Sequence, residues 1–248
     1  MKKGIITKNL VILLVIYSLL VITTTAEAFQ LSIHPSIEGL YYTEYSIVTV
    51  KELQWGYGIS TTFKSRQLYI DYSYYWCTSK YKGYTFYRRK ISFYHDAHLW
   101  TVDVKIKLIP YTYLNISHRN WSVLIDHETY KLTFAGMEVK YKIPCNIKTL
   151  KIYPFIGVSY SPKKTSYITC NSGSCRLGDC YKYHTGLEVT YKPENSQNYY
   201  FLTIQYNHIH ISRSQLNNNG IYEPNSNTEE LTIKFGVLTN FNINSLLN

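Results

Sequence analysis

The chain has 248 residues, a formal net charge of +10 and 27 tyrosines, with a slightly negative mean hydropathy. No stretch beyond residue 28 approaches the about 20 consecutive apolar residues of a transmembrane helix, so a helical membrane protein is excluded and the mature chain is expected to be soluble or a β-barrel. Tyrosine is a strand former and an interface residue, and one β-domain of about 220 residues is the simplest expectation.

Residues 1–28 have the three parts of a secretory signal. Lys2, Lys3 and Lys8 form a basic start, residues 10–22 are an apolar run, and Ala26-Glu27-Ala28 is a cleavage site, so Phe29 is the expected mature N-terminus. Three lysines and Glu27 take +2 of the +10 with them, leaving +8 on residues 29–248. Export argues against nucleic acid as the anionic partner. At a bacterial outer membrane the available anion is lipopolysaccharide phosphate.

Strands follow from alternation. Residues 29–42 are the first candidate, with Leu31, Ile33 and Ile37 against Ser32, His34 and Glu38. In 51–63, Leu53, Trp55, Tyr57 and Ile59 face one way and Glu52, Gln54, Gly56 and Gly58 the other. Residues 67–78 place Leu68, Ile70, Tyr72, Tyr74 and Trp76 outward, with Asp71 and Ser73 inward. The stretch 79–97 reads as a basic, aromatic surface loop or an extended hairpin. The cleanest strand is 98–109, where Trp100, Val102, Val104 and Ile106 alternate with Thr101, Asp103, Lys105 and Lys107. A strand over 111–118 and a loop over 119–128 come next. Residues 129–143 return with an expected bulge at Ala135-Gly136, where the apolar phase slips. Strands at 148–161, 180–192 and 198–211 are separated by a long loop (162–179) and a short turn (193–197).

The last strand, 230–241, puts Leu231, Ile233, Phe235 and Val237 on one face and Thr232, Lys234 and Gly236 on the other. Its length and period suit one tilted membrane-crossing strand. The fold expected is therefore all-β: an antiparallel transmembrane β-barrel of about ten strands, with eight as the variant, occupying residues 29–248. Inward charges of both signs, among them Glu38, Glu52, Asp103, Lys105, Glu138, Lys140, Lys151 and Glu188, are expected to pair across the lumen and plug it.

Several groups are candidate sites. Lys80, Lys82, Arg88, Arg89, Lys90, Lys163, Lys164 and Arg176 fall at strand ends and loops of one rim, where they suit phosphate groups or simply face water. Cys170, Cys175 and Cys180 share one loop in an oxidising compartment, so disulfides are expected rather than a metal site. Cys170 with Cys180 would staple the loop base and leave Cys175 to Cys77, with Cys145 on the opposite rim. Asp96 beside His98 has the spacing to orient an imidazole for general-base work, or to sit as a solvated loop end. No cofactor and no metal are expected.

Two resemblances add to this. The end of the chain is similar to the C-terminal signal that outer-membrane barrels offer to their assembly machinery, with Lys234, Gly236 and Phe241 in its polar, glycine and aromatic positions. The layout, with residues 70–76 (IDYSYYW) and 197–207 (QNYYFLTIQYN), resembles the omptins, ten-stranded outer-membrane proteases. Asp71 matches one omptin acid, the second position holds Ser73, and residues 160–170 lack the Asp-x-His pair, which occurs instead as Asp96-Ala97-His98. The resemblance implies the barrel and lipopolysaccharide contact. The leading expectation is a non-enzymatic outer-membrane barrel with basic, aromatic surface loops. An omptin-like endopeptidase and a narrow channel are the alternatives.

Overall fold

The strongly alternating segments pair into one sheet. The computed structural model describes residues 29–45, 49–84, 90–123, 128–163, 165–170, 173–214 and 224–241. The signal segment, Arg88, Arg89 and Lys164 lie outside the described residues, as do the side chains of Lys90 and Cys170. Twelve strands form: β1 Phe29–Tyr45, β2 Thr49–Lys64, β3 Leu68–Tyr84, β4 Lys90–Ile109, β5 Thr112–Val123, β6 Glu128–Lys140, β7 Leu150–Ser161, β8 Tyr167–Cys170, β9 Gly173–Arg176, β10 Cys180–Tyr191, β11 Tyr199–Ile211 and β12 Asn225–Phe241. Ten of them run β5-β4-β3-β2-β1-β12-β11-β10-β7-β6, and β6 pairs back with β5. That closes an antiparallel ten-stranded barrel with no free edge. β8 and β9 are a small hairpin that continues the sheet from the start of β6, through Thr129↔Thr169 and Lys131↔Tyr167.

Both described termini lie at one mouth, where Phe29 pairs with Phe241 and stacks on Phe63. The turns at residues 65–67, 110–111, 141–149 and 192–198 share that terminal mouth. The hairpin β8–β9 and the facing ends of β11 and β12, at Ile211↔Ser226, lie at the far mouth. β4 is 20 residues long and β1, β3 and β12 are 17 each. A tilted strand crosses a bilayer in about 9–11 residues, so these strands continue well past it.

The wall changes character partway up. Toward the terminal mouth its exterior carries large exposed apolar groups, including Ile33, Tyr57, Ile59, Ile156, Val158 and Phe235, while its interior is polar. Toward the far mouth the faces exchange on β4, β6 and β11. On β4, Val102, Val104 and Ile106 point out below, whereas Ala97 and Leu99 point in above, with Asp96 and His98 outside. On β6, Met137 and Val139 are outside; above them Tyr130, Leu132 and Phe134 are inside, with Lys131 and Thr133 outside. On β11, Leu202, Ile204 and Tyr206 are outside, then Ile209 and Ile211 inside. The inward apolar groups join Leu40, Tyr42, Trp121, Ile168 and Leu177 in one buried cluster. The lower barrel is thus built for lipid outside, and the upper barrel is built for water outside, with an ordinary apolar core.

The structure corrects two expectations. There is no bulge at Ala135-Gly136, where the β5–β6 register is unbroken; the irregularity is at Lys107/Ile109. The apolar phase slips there because the interior changes from apolar to polar while the backbone continues. Residues 119–123 belong to β5, so Arg119 is in the wall rather than in a loop. Of the two readings of residues 79–97, the extended hairpin is the one formed: residues 79–84 of β3 pair with 90–95 of β4, as far as Tyr84↔Lys90.

The two environments separate neighbouring residues of one strand. Phe134→Ala should cost about 3–5 kcal/mol, as expected for a buried core aromatic. Val139→Ala, which exchanges only lipid contacts, should cost much less. Urea unfolding in lipid vesicles measures both, and equal losses would contradict the face exchange.

Candidate functional site

Alternation delivers an acid or base to the lumen from almost every strand, and the ten strands bring these groups together in layers. In the middle, Arg119 from β5 meets Glu230 from β12 through Nη1, and its Nη2 lies 3.5 Å from Glu38 Oε1 of β1. All three are buried. Nearby, Lys182 Nζ is 3.8 Å from Asp103 and donates to Ser117 Oγ at 3.3 Å. On the neighbouring wall Lys234 donates to Asp71 and, at 2.8 Å, to Ser73 Oγ; Thr62 also donates to Asp71 at 2.7 Å.

Closer to the terminal mouth lies a second layer. Lys105 Nζ is 2.5 Å from Glu138 Oε2, and His184 Nε2 is 3.0 Å from the same oxygen. Lys140 reaches Glu188 at 2.6 Å, and Lys64 reaches the other Glu188 oxygen at 3.1 Å. Tyr69 and Phe155 give ring faces to Lys105 and Lys140 at 5.4–5.9 Å. Gly157 is what lets His184 lie against the wall: a Cβ there would fall 2.3 Å from the imidazole. Lysine next to carboxylate and aromatic faces needs no further counter-charge.

At the far mouth the lumen is closed by carbon. Trp121 stacks on Tyr130 at 4.9 Å and meets Tyr42 edge-on at 5.1 Å. Its indole N–H donates to Gln54 Oε1 at 3.0 Å, and Gln54 in turn donates to Glu52 at 2.7 Å. Between this plug and the lower ion layer remains a cavity of about 50 Å³ bordered by Glu38, Asn115 and Arg119, which carry buried polar atoms with no hydrogen-bond partner in the protein. That volume is large enough for ordered water. Below the ion layer, at the terminal mouth, the lumen widens into a vestibule of about 430 Å³. Tyr69, Lys105, Lys140 and Glu188 border both spaces and form the floor between them.

The expected site residues fall as follows. Lys80 and Lys82 on β3, Lys163, and Arg176 on β9 are all toward the far mouth, and Lys80 lies over the Tyr94 ring at 5.1 Å. Asp71 is in the lumen, held by Lys234, whereas Asp96 and His98 point out of the barrel. His98 stacks on Tyr74, whose hydroxyl is 3.2 Å from Nδ1. The wall stands between Asp71 and the Asp96–His98 pair, so they share no site. Cys77, Cys175 and Cys180 are buried in the apolar plug, and Cys175 Sγ is 3.2 Å from Ser214 Oγ. Cys77 is a free thiol, so a Cys175–Cys77 bridge is not formed here; Cys145 is exposed on a terminal-mouth turn. Lys234 and Gly236 face the lumen from β12, and Phe241 ends that strand.

Of the central ion pairs, Lys105, Glu138, Lys140 and Glu188 follow from alternation. Arg119, Lys182 and Glu230 were not singled out as inward groups. Arg119 was hidden because β5 mixes polar residues on both faces, and its signal was only the period of two from Tyr113 through Asn115 and Ser117.

No protein family matches the sequence, and no curated protein matches it significantly. The solved structures it overlaps are outer-membrane β-barrels. The β domain of the Bordetella autotransporter BrkA is 8% identical, with 83% of this chain and 99% of that chain covered and a TM-score of 0.47. The outer membrane protease OmpT from Escherichia coli is 8% identical, with 86% and 96% covered and a TM-score of 0.40. Neisserial surface protein A is 13% identical, with 85% and 99% covered and a TM-score of 0.33. At these values the overlaps carry no argument about activity; the barrel is read from the strand pairing of this chain.

Removing one partner of the central triad should be severe. Arg119→Met leaves Glu38 and Glu230 facing each other without a cation, and should cost about 3–5 kcal/mol. Adding Glu38→Gln and Glu230→Gln should recover most of that loss in the same urea titration. A single variant within about 1 kcal/mol of the wild type would show that the triad does not hold the barrel together.

Proposed function

We propose that this is an integral outer-membrane β-barrel that acts through its surface, without catalysis and without conducting. The observation that carries the reading is the face exchange. Its lower wall offers an apolar exterior to lipid, with aromatic residues at both limits: Tyr57, Tyr74 and Trp76 above, Tyr141, Tyr191 and Tyr200 below. On β4, β6 and β11 its upper wall offers polar groups to water, while β2 keeps Leu53 and Trp55 outside. The terminal mouth then faces the periplasm and the projecting strands face outward, in the usual sense for such barrels.

On the outer part stand Lys80, Lys82, Lys163 and Arg176, joined in sequence by Arg88, Arg89, Lys90 and Lys164. These bases suit the phosphates of lipopolysaccharide, with tyrosines beside them to lie against sugar. The apolar plug and the paired lumen charges support a barrel closed to ions. Delivery by the signal at residues 1–28 and insertion by the barrel assembly machinery, through Lys234, Gly236 and Phe241, complete the proposal.

Three measurements test it. Protein extracted from the outer membrane should migrate differently on a gel with and without boiling. In planar bilayers it should pass no steady current. Replacing Lys80, Lys82, Lys163 and Arg176 with glutamine should weaken binding to lipopolysaccharide vesicles about tenfold, and salt should weaken the wild type likewise. Recovery of the chain only from the soluble periplasmic fraction would overturn the membrane assignment, and steady conductance would replace the closed barrel with the channel.

A further inference from the structure

The vestibule at the terminal mouth differs from the rest of the lumen in its charge balance. Higher up, Arg119 answers Glu38 and Glu230, Lys234 answers Asp71, and Lys105 answers Glu138. The vestibule is bordered by Lys64, Arg66, Lys107 and Lys151 in addition to Lys105 and Lys140, and Glu188 is the one carboxylate in its wall among the described residues. Glu188 already serves both Lys64 and Lys140. Among the described residues Lys107 and Lys151 make no ion pair. Cations gathered around a concave, protein-walled space focus a positive potential into it. A bound anion would relieve the repulsion between Lys107 and Lys151, which no carboxylate of the wall answers.

A second observation points to the same place. Tyr111 borders the vestibule with φ at 65°, left-handed backbone for a bulky residue. Glycine would take this position without strain, and strained side chains gather at binding sites. The Lys140 N–H donates to the Tyr111 carbonyl at 2.8 Å, which ties this turn to the strand that carries the ion layer. Tyr113, Tyr153 and Tyr199 add hydroxyls and ring faces around the space. Its volume, about 430 Å³, is within the roughly 300–1,000 Å³ of small-molecule sites.

We infer that the vestibule binds a small polyanion, a molecule bearing two or more phosphate or carboxylate groups, held by Lys64, Arg66, Lys107 and Lys151 with Tyr111 at the rim. A single negative charge would answer one of Lys107 and Lys151 and leave the other, and a long polyanion would not fit the volume. This site is distinct from the basic rim at the far mouth and does not depend on what that rim contacts.

The test is calorimetric titration of the full chain, folded in detergent, with pyrophosphate and with citrate. Saturable binding of at least one probe is expected, weakened by salt. Lys107→Gln with Lys151→Gln should lower the affinity about tenfold or more, since both lysines are outside the structural ion pairs. Tyr111→Gly should lower it too, while relieving the backbone. Lys82→Gln with Arg176→Gln, at the other mouth, should leave it unchanged. Each variant is checked for folding by its migration with and without boiling. Preference for pyrophosphate identifies a phosphate ester as the natural class, and preference for citrate identifies a polycarboxylate. No saturable binding of either probe at millimolar concentration, or an unchanged affinity in the double-lysine or Tyr111 variant, overturns the assignment.

Discussion

A β-wall that passes from lipid into water has to exchange its faces. In lipid the outside must be apolar and the inside is free to be polar; in water the requirement reverses, because an apolar exterior has nothing to cover it. This chain makes the exchange within single strands and without breaking the backbone ladder. On β6 the change falls between Phe134, inside, and Met137, outside. On β4 it falls between Leu99 and Val102. The exchange determines where the plug can be, where the ion pairs must be, and which mouth remains open.

The polar half has its own constraint. Charges withdrawn from water cost more than their attraction returns unless they are matched and hydrogen-bonded. The barrel meets this with groups from distant strands: Arg119 of β5 with acids of β1 and β12, Lys105 of β4 with Glu138 of β6, Lys234 of β12 with Asp71 of β3. The Arg119 pairs span the lumen, Lys234–Asp71 bridges two intervening strands and Lys105–Glu138 bridges one, so each acts as a crossbar. Wrong strand order or a register slip of one residue would bury these charges alone. The pairs thereby specify the barrel as much as they stabilise it.

Much of the fold was legible because lipid imposes a strict period. Trp55, Tyr57 and Ile59 on β2, and Val102, Val104 and Ile106 on β4, face out as their alternation requires. The legibility failed where that period no longer carried one meaning. At Ala135-Gly136 the reversal of environments imitates a bulge. Along β5, Asn115, Ser117 and Arg119 face in while His118 and Asn120 face out, so neither face is apolar and Arg119 looked like a loop residue. The hairpin β8–β9 is short and was lost inside residues 162–179. Asp71, Asp96 and His98 have chemistry-bearing side chains, but sequence spacing says nothing of which side of a closed wall each will occupy.

The two mouths end in opposite solutions to one problem. A barrel of ten strands encloses more space than one layer of side chains fills. At the far mouth the excess is taken by large rings, Trp121, Tyr42 and Tyr130, supported from above by Ile168 and Leu177. At the terminal mouth the same space is bounded by long cations around Tyr69 and Glu188, and it stays open. Apolar filling would have closed that end equally well and spared the chain the repulsion between Lys107 and Lys151. Because the wall that carries these lysines is rigid and their positions are set by strand register, their convergence on one space is better suited to recognising an anion than to sealing a tube.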